Sequence, residues 1–155
     1  MNTIPDAAPM PLATVTNSAT TAASSITSAV TSAITEILVC TTCRPVGASR
    51  ELPPAGQALL DAVTALHAET DAVDLQVRGI ACMSGCARSC TVALQASGKP
   101  TYYFGDLSAD AETAAQVIAC ARLHAQNSDG ALPRNERPER LRSGILAKLP
   151  ALGAR

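Results

Sequence analysis

The chain has 155 residues, a formal net charge of −1, and no aromatic residues beyond Tyr102, Tyr103 and Phe104. That length suits one domain, and so even a charge gives no global pull toward nucleic acid or acidic lipid. The unusual part of the composition is its six cysteines.

Residues 1–34 are Ala, Thr and Ser with scattered Pro, and Asp6 is their single charge. Such a stretch has little to bury and is expected to be a disordered tail. It has no basic start and no continuous apolar run, so it reads neither as a secretory signal nor as a membrane span. Its lack of Arg and Lys argues against a mitochondrial-type transit peptide. A cytoplasmic protein is expected. Structural disulfides are uncommon in that compartment, and clustered cysteines there are more often metal ligands or redox catalysts.

The folded domain is expected over 35–130. Ile37, Leu38 and Val39 form a short apolar run ending at Cys40, which suits a buried strand from Glu36. Pro45, Gly47, Pro53 and Pro54 mark a loop, and Pro suits the first turn of the helix expected next. Leu59, Val63 and Leu66 give that helix an apolar stripe ending near Glu69. Val73, Leu75 and Val77 then alternate with Asp74, Gln76 and Arg78, the period of a strand with one buried face. Thr91–Gln95 and Thr101–Phe104 read as two more strands, with Ser97-Gly98-Lys99-Pro100 as the hairpin turn. Tyr102 and Phe104 must share a face, with Tyr103 on the other. Asp106 and Ser108 offer N-caps for a second helix through Val117, Ile118 and Ala121 to about Ala125.

This order, strand–helix–strand then hairpin and helix, predicts an α/β domain with a four-stranded mixed sheet and two main helices. The first two strands should be parallel and joined by a right-handed crossover. Residues 131–155 carry Arg134, Arg137, Arg140, Arg142, Lys148 and Arg155 against Glu136 and Glu139, a basic C-terminal extension. Within it, Pro138 with Leu141, Ile145 and Leu149 predicts a short surface helix over 137–150, weakened by Gly144 at about 1 kcal/mol relative to Ala.

The chemistry lies in Cys40-Thr-Thr-Cys43 and Cys82-Met-Ser-Gly-Cys86-Ala-Arg-Ser-Cys90. Cysteines at such spacings can close on one ion within a turn of chain, and two clusters supply the thiolates that zinc or an iron–sulfur centre requires. The first strand ends at Cys40 and the second just before Cys82. In a parallel pair those ends share the carboxyl edge, where such sheets hold ligands. Cys40, Cys43, Cys82 and Cys86 should converge there. Small Ser84, Gly85 and Ala87 would let backbone N–H groups approach, and Arg44 and Arg88 could offset negative charge.

The pattern of Cys40-x-x-Cys43 after a strand, Cys82-x-x-x-Cys86-x-x-x-Cys90 before Thr91-Val92-Ala93-Leu94, and Gly105-Asp106-Leu107 resembles an uncharacterised bacterial family of predicted cysteine-rich metal-binding proteins. Genes of that family often lie near those for cobalamin synthesis. More distantly the layout is similar to thioredoxin-like [2Fe-2S] ferredoxins, which implies a thioredoxin-like fold and a [2Fe-2S] cluster on Cys40, Cys43, Cys82 and Cys86. The chain departs from those ferredoxins in the closer spacing of its first two cysteines and in having Cys90, an alternative ligand or a neighbouring thiol.

Two other chemistries fit the same residues. Zinc takes four thiolates, and C-x-x-C is its common half-site, although C-x-x-x-C is less typical of zinc knuckles. Cys40-x-x-Cys43 could instead be a dithiol redox pair. The loop expected after Cys43, and Cys90-Thr91 where thioredoxin-like oxidoreductases carry a cis-proline, weigh against that. Cys120 follows Val117 on the apolar side of a helix and reads as core. His124 is expected to be exposed or capping, and His67 to sit at a boundary. The expected role is an electron carrier or metal-handling protein with a redox or metal-handling protein partner, without nucleic acid or membrane.

Overall fold

The computed structural model describes residues 33–152, which lie in one compact unit. The expected tail lies outside the described residues except for Ala33 and Ile34. The elements are β1 (Thr35–Cys40), α1 (Ala55–Ala68), β2 (Leu75–Ile80), β3 (Val92–Gln95), β4 (Thr101–Phe104), α2 (Ala111–Gln126), α3 (Glu139–Arg142) and β5 (Ile145–Leu149). The strands form one sheet in the order β2-β1-β3-β4-β5. β1 and β2 run parallel, with Cys40 opposite Ile80, while β3, β4 and β5 each pair antiparallel with their neighbour. The first four strands have the order and directions of a thioredoxin-like α/β sheet.

Alternation along β1 builds the core. Ile37 and Val39 are fully buried, as are Leu59 and Val63 of α1 and Phe104 of β4. Each such side chain contributes about 1.5–3 kcal/mol on leaving water. The two long helices pack on each other and on both β1 and β2, so they share one face of the sheet. Tyr102 and Phe104 point into that layer, with ring centroids 6.3 Å apart, and Cys120 is fully buried there. Burial pushes the Cys120 thiol up to about 12, as a core residue requires.

Several expectations are corrected. The sheet has five strands rather than four, and the helix over 137–150 shrinks to α3 followed by β5. Gly144 takes a φ of 83° and ends the helical turn, and Ile145–Leu149 then pairs along β4. Leu132, Arg137 and Leu141 are buried, so residues 131–152 pack into the same unit as the rest. Val73 is 90 % exposed and lies before β2, which starts at Leu75. The cap of α2 is Asp110, whose carboxylate accepts from Thr113 N–H at 2.7 Å, rather than Asp106 or Ser108.

His124 is fully buried instead of exposed. Its Nε2 donates to the Pro100 carbonyl at 2.9 Å, so its Nδ1 accepts from the Thr35 hydroxyl at 3.0 Å. With both ring nitrogens satisfied, the imidazole enters the core without an orphaned polar atom. Lys99 Nζ donates beside it to the carbonyls of His124 and Ala125, closing the last turn of α2. No described helix is long and apolar enough to cross a membrane.

Candidate metal centre

Both cysteine clusters lie at the edge where β1 and β2 end. Thr41 N–H donates to the Ile80 carbonyl at 2.8 Å, and the Thr42 hydroxyl donates to the Ala81 carbonyl. The turn of the first pair is thereby stitched to the start of the second loop. Cys40 N–H donates to the Thr91 carbonyl at 3.1 Å, which joins the same turn to the loop's far end.

The loop from Ala81 to Thr91 is held along its length. The Tyr103 hydroxyl donates to the Met83 carbonyl at 2.8 Å. A Cβ on Gly85 would press on that hydroxyl and come within 2.6 Å of the Thr91 methyl, so glycine is required there. Cys86–Arg88 form a 3-10 turn. Cys90 and Leu107 exchange backbone hydrogen bonds at 2.8 and 3.2 Å. The Ser89–Cys90 peptide is cis.

This frame divides the cysteines into two groups. Cys40, Cys43 and Cys90 are each about 1 % exposed, while Cys82 and Cys86 are exposed on the loop. In the interior group Cys40 Sγ lies 3.8 Å from the Thr42 hydroxyl. Cys43 Sγ also lies 3.5 Å from the Thr91 hydroxyl, and the Ser89 hydroxyl donates to Cys90 Sγ at 3.8 Å. The Ser84 N–H donates to Cys82 Sγ at 3.4 Å.

The interior thiols are electrostatically distinct. Burial pushes Cys40 up, but hydrogen bonds from the Met83 backbone, Cys43 and Thr42 outweigh it and hold its thiol below the usual range. Burial pushes Cys43 up against the Thr91 and Ser89 hydroxyls. Burial, with the nearby Cys43 and Cys40, likewise raises Cys90. Burial raises the Tyr103 phenol, the Thr91 hydroxyl opposes the rise, and Cys40, Cys43 and Cys82 add to it.

The first turn of α1 also meets the site. The loop after Cys43 folds back, with Arg44 Nη1 donating to the carbonyls of Ser49 and Leu52. It returns the chain so that Gly56 N–H donates to the Cys43 carbonyl at 3.0 Å. A Cβ on Gly56 would overlap the Cys40 carbonyl oxygen and stand 3.0 Å from Cys43 Cβ. The positive end of a helix dipole therefore approaches the Cys40–Cys43 turn. The expected loop after Cys43 is present, yet a helix N-terminus reaches the pair all the same. Arg88 is engaged by Asp106, so both arginines beside the cysteines have partners of their own.

The five clustered cysteines thus share one edge, but only three of them are buried. Among the described residues, no three Cys, His, Asp or Glu side chains are arranged as they stand to hold one ion. The interior thiols meet the hydroxyls of Thr42, Thr91 and Ser89. Their chemistry fits a thiophilic centre, since soft thiolates select zinc, copper(I) and iron–sulfur clusters. Thr91, Ser89, Tyr103 and Gly56 were not legible as site residues, although two of the hydroxyls flank Cys90 directly in the sequence.

Fold and site together define a small α/β domain with a thiol cluster at the carboxyl edge of its parallel strands. Over residues 37–151 the chain belongs to the family described as Protein of unknown function (DUF1636). It is also similar to the solved structure of a thioredoxin-like [2Fe-2S] ferredoxin from Aquifex aeolicus, at 14 % identity and a TM-score of 0.48. That similarity covers 79 % of this chain and 98 % of the other. No curated protein matches the chain.

Proposed function

We propose that this protein is a small thiolate-held metal protein, working as a [2Fe-2S] ferredoxin-like electron carrier with Cys40, Cys43, Cys82 and Cys86 as ligands. The observation that supports this reading is the gathering of five thiols at one sheet edge, some buried and some exposed. When bound, the cluster supplies a redox couple tuned by hydrogen bonds to sulfur and by exposure. Cys40 and Cys43 form the inner, water-excluding side. The Met83 N–H and the Thr91 and Ser89 hydroxyls stabilise charge on those sulfurs. Cys82 and Cys86 lie on the solvent side, where a redox or metal-handling protein partner reaches them. A reducing cytoplasm is the compartment that keeps such thiols available. The family resemblance adds cobalamin or cobalt metabolism as the setting.

Zinc on the same four thiolates is the metal alternative, and it would make the domain a structural or metal-delivery module. A thiol–disulfide oxidoreductase is favoured by the lowered Cys40 thiol beside the raised Cys43 thiol and by the start of α1 at their turn. Single Cys40→Ser, Cys82→Ser and Cys86→Ser variants scored for bound metal test the main reading. Each should lose metal. Full retention in Cys82→Ser would sink the four-cysteine site, and disulfide turnover by a metal-free protein would favour the enzyme.

A further inference from the structure

Glu36, Gln95 and Thr101 form a polar row across the face of the sheet opposite the two long helices. Glu36 pairs with Gln95 in the β1–β3 register, and Thr101 falls one rung beyond the Leu94–Tyr102 pair. Each stands one residue from a core-facing side chain, Ile37, Leu94 or Tyr102, so all three project to the other side. They line a hollow of about 360 Å³, together with Ser97 of the hairpin turn. Ile34, Pro150 and Leu152 give it an exposed apolar rim. The hollow lies far from the thiols, since about 13 Å of strand separates Glu36 from Cys40.

The lining is rich in hydrogen-bond acceptors. Gln95 Nε2 donates to Glu36 Oε2 at 2.6 Å, and Arg78 donates to the same oxygen at 3.2 Å. Among the described residues no side chain or backbone group bonds to Glu36 Oε1, to Gln95 Oε1 or to the hydroxyls of Ser97 and Thr101. The cations nearby are directed elsewhere. Lys99 lines the hollow, but its Nζ donates to the carbonyls of His124 and Ala125. Arg78 reaches Glu36 from β2 and is not part of the lining. The Gln95 amide, with Arg78, holds the Glu36 carboxyl below its usual range against the effect of burial, so it stays ionised at neutral pH.

We propose that this hollow binds a small organic cation, a primary ammonium on a short apolar stem. The three N–H donors of an ammonium match Glu36 Oε1, Gln95 Oε1 and the Thr101 hydroxyl. The stem lies against Ile34, Pro150 and Leu152, which covers apolar surface that is otherwise exposed. A carboxylate on the same stem meets acceptors and the Glu36 charge, so it is rejected. The site does not depend on the metal-centre reading.

The test titrates the full chain with n-butylammonium and, at equal ionic strength, with butyrate, following backbone amide shifts by NMR. Butylammonium should give saturable shifts at Glu36, Gln95 and Ser97–Thr101 and none at Cys40–Cys43, and butyrate should give none. Glu36→Gln should weaken butylammonium binding by about tenfold or more, as loss of a charged acceptor requires. Far-UV circular dichroism checks its folding. Thr101→Val, with a smaller loss expected, is the second variant if Glu36→Gln does not fold. Shifts that fail to saturate overturn the proposal, as do equal binding of butyrate and unchanged binding by the folded variant. Inorganic ammonium binding as tightly as butylammonium overturns the role of the apolar rim.

Discussion

The Tyr103 hydroxyl donates to the Met83 carbonyl at 2.8 Å, tying the middle of the cysteine loop to a sheet strand. One residue thus links β4 to the loop that carries Cys82 and Cys86. Tyr103→Phe keeps the ring and removes the tether. Stability should fall by about 0.5–1.5 kcal/mol, the net worth of one such bond. Release of bound metal to a chelator should be faster than in the wild type. Unchanged release would mean that the loop is held without this bond.

Gly56 sets how closely α1 approaches the first cysteine pair. Its missing Cβ leaves room for the Cys40 carbonyl and the Cys43 side chain. Gly56→Ala should therefore cost about 1–3 kcal/mol by overpacking, despite the better helix propensity of Ala. Urea unfolding measures this. A neutral or stabilising result would show that α1 does not press on the cysteine turn.

The buried His124 makes stability depend on pH. Burial lowers its basicity, the bond to Pro100 opposes that, and nearby Lys99 adds to the lowering. The folded value therefore lies below the unfolded one. The unfolded chain binds the proton first as pH falls, so stability is lost through and below the ordinary histidine range near 6.5 and levels off below the folded value. Thermal unfolding from pH 7.5 to 5 should show this decline, and His124→Gln should flatten it. An equal slope in the variant would assign the decline to other groups.

The C-terminal segment offers a contrast of two leucines. Leu141 of α3 is about 1 % exposed and Leu149 of β5 is 57 % exposed. Leu141→Ala should cost about 2–5 kcal/mol, and Leu149→Ala at most about 0.5 kcal/mol. Denaturant midpoints of the two variants decide whether the segment is part of the core.

Periodicity carried the fold wherever one face of an element is buried. The apolar run before Cys40, the stripe of Leu59 and Val63, and the Tyr102/Phe104 pair all took their expected places. It failed for Leu141, Ile145 and Leu149, whose helical spacing is overridden once Gly144 turns the chain onto the open edge of β4. Local sequence also could not show that His124 would meet Thr35 and Pro100, since both partners come from distant segments. In the site, cysteine spacing pointed to the shared edge. Which thiols are buried depends on how the loops fold, and this is why the enclosure of Cys90 and the approach of Gly56 could be seen only in three dimensions.

The metal content and visible spectrum of the protein purified without oxygen test the proposed thiolate-held [2Fe-2S] centre at that edge. The chain has no Trp and two Tyr, so cluster absorption would stand clear of a weak protein band. A brown protein with iron and acid-labile sulfide in equal amounts, bleaching on reduction, is the expected result. A colourless protein that holds zinc, or no metal at all, would contradict it.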